Sequence, residues 1–254
     1  MYALRRRHGD GEMSVVTESR ARTGFTDAGL AFTNAFSARV ATDESMRHKS
    51  YRLRHDVYCV EKGFEPCRGD LVETDKYDLY SQHGLIQSNF TEEAAGSVRY
   101  VMPTSSSQLL PIEASCSDAI TELKLHPSRF DRHDIGEVSR LAVIPAFRKN
   151  GKQGAKEAEA MKLVSTSLYF LAGALAVANK RTHNFVMIEP RLARAMRLVG
   201  VNFTQIGDVV DYHGERAPFY INSQTFLSEL TPASFDLYSF IEKDLRRSLA
   251  PLSV

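Results

Sequence analysis

The chain has 254 residues, 43% hydrophobic and 25% charged, an ordinary composition for one large folded domain or two small ones. Its net charge of +1 supplies no global field for nucleic acid or an anionic membrane. The three cysteines, Cys59, Cys67 and Cys116, are odd in number and irregular in spacing, which argues against a disulfide framework or a zinc site and suits reduced thiols in a cytosol.

Met1 to Arg7 is basic but no apolar run follows it, so no secretory signal is expected. Residues 1–28 are rich in Arg, Gly, Ser, Thr, Asp and Glu and read as a flexible leader, with residues 29–254 as a single domain ending in a C-terminal helix. Leu30, Phe32, Phe36 and Val40 have a loosely helical spacing, which predicts a short helix over Leu30 to Val40. Ser50 to Phe64 reads as the first firm helix, with Tyr51, Leu53, Val57, Tyr58 and Val60 as its apolar set and Gly63 at its end. Cys59 lies in this apolar stretch and reads as a small buried hydrophobe. Cys67 to Leu79 is a polar loop, and His83 to Ser88 and Ala95 to Met102 are two strands of a meander. Pro103 to Ala119 is read as a loop, and Leu123 to Phe130 fits neither helix nor strand.

Leu141, Ala142, Val143 and Ile144 form the apolar run of a central strand that begins near Glu137 and ends at Pro145. Arg148, Lys149, Gly151 and Lys152 follow, and a long helix is predicted over Ala155 to Ala178. Such a strand–turn–helix junction aims free N–H groups and a positive helix end at one point, which suits a phosphate-bearing cofactor arm and points to acyl transfer. The apolar part of that helix, Leu168 to Ala178, is too short for a membrane span, so a core helix and no integral membrane segment are expected. Asn184 to Glu189 is a strand, and Pro190 opens a helix that runs to Val199 and stops at Gly200. Phe203 to Ile206 and Phe219 to Ile221 are late strands, and Thr231-Pro232 opens an amphipathic helix to about Leu249. This order predicts an α/β (α+β) domain with a central mixed twisted sheet and helices on both faces.

Three blocks carry a family resemblance. They are Tyr51-Arg52-Leu53-Arg54-His55-Asp56-Val57-Tyr58-Cys59-Val60-Glu61-Lys62-Gly63-Phe64, then Glu73-Thr74-Asp75-Lys76-Tyr77-Asp78 with Gly96-Ser97-Val98-Arg99-Tyr100, and Glu137-Val138-Ser139-Arg140-Leu141-Ala142-Val143. Together they resemble the acyl-homoserine-lactone synthase and N-acyl amino acid synthase branch of the acetyltransferase-like (GNAT) superfamily. The chain is similar above all to the N-acyl amino acid synthases described as PEP-CTERM/exosortase system-associated acyltransferases. His83 and the late block Tyr212-His213-Gly214-Glu215-Arg216-Ala217-Pro218 add to that likeness, which covers roughly residues 45 to 225. The homoserine-lactone synthases usually carry Trp where this chain has Phe64 and Phe where it has Tyr58, and this chain has no Trp. The departure leans toward an amino acid acceptor.

The resemblance implies a GNAT-like fold and amide formation from a thioester on a phosphopantetheine arm, with no permanently bound cofactor and no metal. It implies an acyl carrier protein as partner, or acyl-CoA as donor, in a bacterial cytoplasm. Glu137 is the expected base, with a structural carboxylate paired to Arg140 or Arg99 as the alternative reading. Ser139 serves the site or caps the strand, and Arg140 completes the catalytic set. Arg54, Tyr58, Phe64, Asp75, Asp78 and Arg99 are placed on the acceptor side. Arg54, Asp75, Asp78, Arg99 and Arg140 read as one Arg–Asp cluster organising the acceptor pocket, since an isolated Asp75–Asp78 spacing is weak as a metal signal. Leu141, Ala142 and Val143 are expected along the pantetheine, with Arg148, Gly151 and Lys152 toward its phosphate. The basic run Arg148, Lys149, Lys152 and Lys156 suits an acidic carrier helix, or is simply a solvated helix start. Phe170, Leu171 and Leu175 are candidates for the acyl slot, and His83 and His213 are alternative bases. Two further readings stay open: a signal synthase using S-adenosylmethionine, and a non-catalytic carrier-protein or lipid-binding module.

Overall fold

The computed structural model describes residues 26–148 and 155–250. The expected leader lies outside them up to residue 25, as do Lys149, Gly151 and Lys152. Thr26 already caps a helix, its Oγ1 accepting from the Gly29 N–H at 3.1 Å. That helix, α1 (Asp27–Ala35), passes directly into β1 (Phe36–Val40). The single helix expected over Leu30 to Val40 is therefore half strand. Phe32, Phe36 and Val40 are four apart, but Phe36, Ala38 and Val40 also alternate, and the strand's burial follows the alternation.

α2 (Glu44–Arg54) starts well before the predicted Ser50, because Asp43 caps it by accepting from the Met46 N–H at 2.8 Å. It continues as a π-helix over His55–Glu61 rather than as a regular helix to Phe64. The expected polar loop ends in a 3-10 turn, Lys76–Tyr80, before β2 (Ser81–Ser88) and β3 (Ala94–Val101). The stretch read as a loop over Pro103 to Ala119 holds α3 (Pro111–Ser115), and two 3-10 turns fill Leu123 to Phe130. β4 (Ile135–Val143), α4 (Ala155–Ala178), β5 (His183–Ile188) and α5 (Pro190–Met196) follow as read. Gly200 closes the next turn at φ 86°, a left-handed conformation where only glycine is free of strain. β6 (Thr204–Gln205), β7 (Val210–Asp211), β8 (Glu215–Asn222), α6 (Ser223–Glu229) and α7 (Pro232–Leu249) complete the domain. β7 and α6 are too short to show a period and were not expected.

The strands form an eight-stranded sheet in the order β1-β2-β3-β4-β5-β8-β6, with β7 paired to β8. Every neighbour is antiparallel except β4 and β5. That parallel pair is bonded only from Ile135↔His183 to Val138↔Val186. Beyond it β4 runs on to Val143 while β5 stays with β8, so the two strands part and leave a cleft within the sheet.

Helices cover both faces. α4 packs against α1, α7 and strands β2 to β4 on one side, and α2 packs against β3 on the other. Ala160–Ala178 has the length and hydropathy of a membrane span, but 56% of its most apolar window is buried inside the protein. It lies close on the sheet because Gly84 and Gly96 leave room for Leu171 and Leu168. The expected fold class, a mixed sheet with helices on both faces, is the one observed.

Candidate active site

The site is built on an irregularity in β4. Ser139 pairs with Arg99 and Ala142 pairs with Ser97, so Arg140 and Leu141 together oppose Val98. This bulge holds Arg140 at φ 48°, a strained value for a residue with a Cβ, of order 1–3 kcal/mol. The extra residue reverses the alternation of faces. Before it, Ile135 joins the core on the side away from α4, while Val138 packs toward α4. After it, Leu141 and Val143 pack toward α4 and Ala142 meets Leu53 and Val57 of the α2 side.

Arg140 is kept in this conformation by three carboxylates: Glu65 at 2.8 Å, Glu73 at 3.1 Å and Asp75 at 3.4 Å. Its guanidinium also lies over the Tyr58 ring, 5.5 Å from the centroid. Behind it, Arg54 reaches Glu73 at 2.5 Å and Asp78 through two bonds of 2.7 and 3.1 Å. Arg99 bonds Asp75 at 2.5 Å and Asp78 at 3.2 Å, and its Nε donates to Ser139 Oγ at 3.0 Å. Burial would raise the Asp78 pKa, but the hydrogen bonds from Arg54 and the nearby arginine charges hold it well below the usual carboxylate range. The predicted Arg–Asp cluster thus exists, with Glu65 and Glu73 as members the sequence reading left out.

Two cavities meet on β4. The first is lined by Tyr58, Phe64, Glu65, Ile112, Cys116, Glu137 to Arg140, Met187, Tyr212, His213 and Arg216. The second is the cleft between β4 and β5, lined by Tyr58, Phe64, Val138 to Val143, Arg148, Ser165, Tyr169, Val186 to Glu189 and Arg216. Tyr58, Phe64, Ser139, Arg140 and Arg216 belong to both. Of the six residues expected on the acceptor side, only Tyr58 and Phe64 line either cavity; Arg54, Asp75, Asp78 and Arg99 form the layer behind, bracing Ser139 and Arg140. Tyr58 is placed by the π-helix, and its hydroxyl donates to the Leu141 carbonyl at 2.8 Å across the cleft. Phe64 is covered by His213, stacked 4.6 Å away.

Glu137 is only 2% exposed. It accepts the Ile112 N–H at 2.8 Å, and among the described residues it has no ion pair, neither with Arg140 nor with Arg99. Burial pushes its pKa up to about 8, against the Ile112 hydrogen bond and the Arg99 charge. His83 lies outside both cavities; burial and Arg54 hold its pKa down to about 3, so it is neutral.

Leu141, Ala142, Val143 and Arg148 line the cleft as expected. Arg148 is turned inward, its Nε donating to the Val143 carbonyl at 2.6 Å and its guanidinium paired with Glu61. Gly151 and Lys152 fall outside the described residues, as does the Lys156 side chain. Phe170, Leu171 and Leu175 are fully buried among core residues and line neither cavity. The face of α4 carrying Tyr169, Ala172, Gly173 and Ala176 instead lines a third, apolar cavity with Val138, Phe203, Ile221 and Phe226. Tyr169 and Val138 connect it to the cleft. Among the described residues no group of three or more His, Cys, Asp or Glu is arranged to hold a metal ion.

Residues 53–153 match the model of the acetyltransferase (GNAT) domain. Three solved structures share the fold. TofI, solved in a ternary complex with an inhibitor and MTA, superposes with a TM-score of 0.59 at 16% identity, over 78% of this chain and 99% of that one. FeeM, an N-acyl amino acid synthase from uncultured soil microbes, gives 0.55 at 15% identity, over 79% and 97%. BjaI, a CoA-dependent acyl-homoserine lactone synthase solved with SAM and isopentyl-CoA, gives 0.56 at 16% identity, over 86% and 90%. Residues 53–153 are thus similar to the acetyltransferase (GNAT) domain, and the chain has the fold shared by these acyl-homoserine-lactone and N-acyl amino acid synthase structures.

Proposed function

We propose that this protein is an N-acyltransferase that moves a fatty acyl group from acyl carrier protein, or from CoA, to the amine of an amino acid. The observation that carries the reading is the meeting of two chemically different cavities on β4, one holding the buried Glu137 and one an open slot between parted strands. The pantetheine arm lies in the β4–β5 cleft along Leu141 to Val143, where unpaired strand edges offer amide partners. Its phosphate end points toward the end of the cleft where Arg148 stands. The acyl chain passes Tyr169 into the apolar cavity under α4.

The amine enters the Glu137 pocket. Glu137 takes a proton from the ammonium, and the amine then attacks the thioester carbonyl. The C–N bond forms and the C–S bond breaks; of the two protons the nitrogen loses, one passes to the departing thiolate and the other to solvent. A carboxyl with its pKa near 8 suits this task, since a general base is most effective when its pKa lies close to working pH. Ser139 Oγ already accepts the Arg99 Nε–H, so its own O–H is free to donate to the developing oxyanion at the seam of the cavities. Arg140, Arg99, Asp75 and Asp78 are positioning residues.

A second reading, a signal synthase using S-adenosylmethionine, is favoured by the SAM bound in BjaI. Purified protein given palmitoyl-carrier protein and a mixture of the twenty amino acids should release carrier thiol; S-adenosylmethionine in their place tests the second reading. No thiol release with either acceptor, from palmitoyl-carrier protein or from palmitoyl-CoA, would remove the acyltransferase reading. A cytoplasmic place and a role beside the PEP-CTERM/exosortase system remain part of the proposal, supported by the sequence resemblance.

A further inference from the structure

Arg216 lies on β8 just past the β7–β8 turn and lines both the Glu137 pocket and the β4–β5 cleft. The other arginines at these cavities are engaged. Arg140 is held by Glu65, Glu73 and Asp75, and Arg148 by Glu61 and the Val143 carbonyl. Beyond its backbone pairing with Val210, the Arg216 side chain has no hydrogen bond or ion pair among the described residues. It is half-buried, and its charge is felt by the phenols of both Tyr58 and Tyr169. A guanidinium held in a partly desolvated cavity without an anion is a vacancy for one.

The position says which anion. The donor arm runs along β4 away from the Glu137 pocket, which Arg148 does not line. Arg216 reaches into that pocket, whose other charged walls are Glu137, Glu65 and Arg140. Arg140 is already held by Glu65, Glu73 and Asp75, which leaves Arg216 as the cation open to an acidic group of a ligand. An acceptor with an ammonium and a carboxylate on one carbon needs this pairing: an acid for one group and a guanidinium for the other.

We infer that Arg216 binds the α-carboxylate of the acceptor while the acceptor's ammonium faces Glu137, so that the pocket selects an α-amino acid headgroup. The inference rests on the acyltransferase reading. The headgroup chemistry is shared by a free amino acid and by the methionine end of S-adenosylmethionine. The same hairpin supplies the cap, since Tyr212 and His213 line the pocket from the turn that leads into Arg216.

The test is equilibrium binding by calorimetry to wild type, Arg216→Gln and Arg216→Lys. The probes are the twenty amino acids, each beside its α-carboxamide, and S-adenosylmethionine beside its decarboxylated form. Wild type should bind at least one carboxylate-bearing probe, and bind its carboxylate-free partner at least tenfold more weakly. Arg216→Gln should abolish that preference, and Arg216→Lys should restore part of it. Which probe binds separates the two sources of the headgroup. An unchanged preference in Arg216→Gln, an equal loss for both members of a pair, or no binding of any carboxylate-bearing probe to wild type would overturn the assignment. Turnover keeps the two readings apart. An Arg216-dependent carboxylate preference without acyl transfer would sink the enzyme reading alone. Acyl transfer with no carboxylate preference would sink the Arg216 assignment alone.

Discussion

The Ile112 N–H donates to Glu137 Oε2 at 2.8 Å, tying the start of α3 to the central strand and holding the carboxyl against the pocket. The bond is made to a side chain that is almost fully buried and has no cation among the described residues as an ion-pair partner. A carboxyl so placed is easier to protonate than one in water.

Glu137→Gln should therefore lower the acylation rate by about 10²–10⁴-fold, the usual worth of a general base. Wild-type kcat/KM should rise with pH and level off above about 8, where the carboxylate form prevails. The stability sign is the reverse. The folded-state pKa is raised from 4.5, so the native state binds the extra proton and stability falls as pH rises from about 4.5 to about 8. Denaturant titrations across that range should show the slope in wild type and a flatter one in Glu137→Gln.

Ser139→Ala removes the hydroxyl that Arg99 orients from behind. Loss of one oxyanion donor should lower kcat by about 10²–10³-fold with little change in KM for the acceptor. A rise in KM with kcat preserved would assign Ser139 to binding instead.

Asp78→Asn should destabilise the fold by about 3–5 kcal/mol, because it leaves buried guanidinium groups of Arg54 and Arg99 short of charge. The Asp78 pKa is lowered from 3.8, so its contribution is present above that value and is lost as pH falls below it. Acid unfolding of the variant should accordingly be shallower than that of wild type below pH 3.8. An unchanged midpoint in denaturant would contradict a supporting role for the network.

Ala176→Leu puts three carbons into the apolar cavity under α4. Overpacking costs about 1–3 kcal/mol, and the acyl products should shift to shorter chains. The chain-length profile of extracted products reads this directly. A profile like that of wild type would place the acyl chain elsewhere.

Much of this was legible in the sequence, and the failures are instructive. The apolar run Leu141 to Ile144 with Pro145 behind it marks β4, and the long apolar pattern of Ala155 to Ala178 marks α4. β1 was hidden because Phe36 and Val40 satisfy helical and strand spacing at once. The acid–base residues Arg54, Asp75, Asp78, Arg99 and Arg140 were recognisable as one cluster, but not which of them face a cavity. That depends on the bulge at Arg140, which reverses the strand's faces and has no signature in residue type. The acyl-slot candidates Phe170 and Leu171 point about 100° around α4 from their neighbours Tyr169 and Ala172, which line the cavity. Arg216 stood in the resemblance as part of a block without a role. Its significance comes from what the other arginines are already bonded to, which only the fold reveals.

The central claim is amide formation with Glu137 as base at the seam of the two cavities. The most direct measurement is mass spectrometry of lipids from bacterial cells expressing wild type, beside cells expressing Glu137→Gln at equal levels of folded protein. A ladder of N-acyl amino acids in the first and its collapse in the second is the predicted result. An undiminished ladder in Glu137→Gln, or no new acylated amine from wild type, would contradict it.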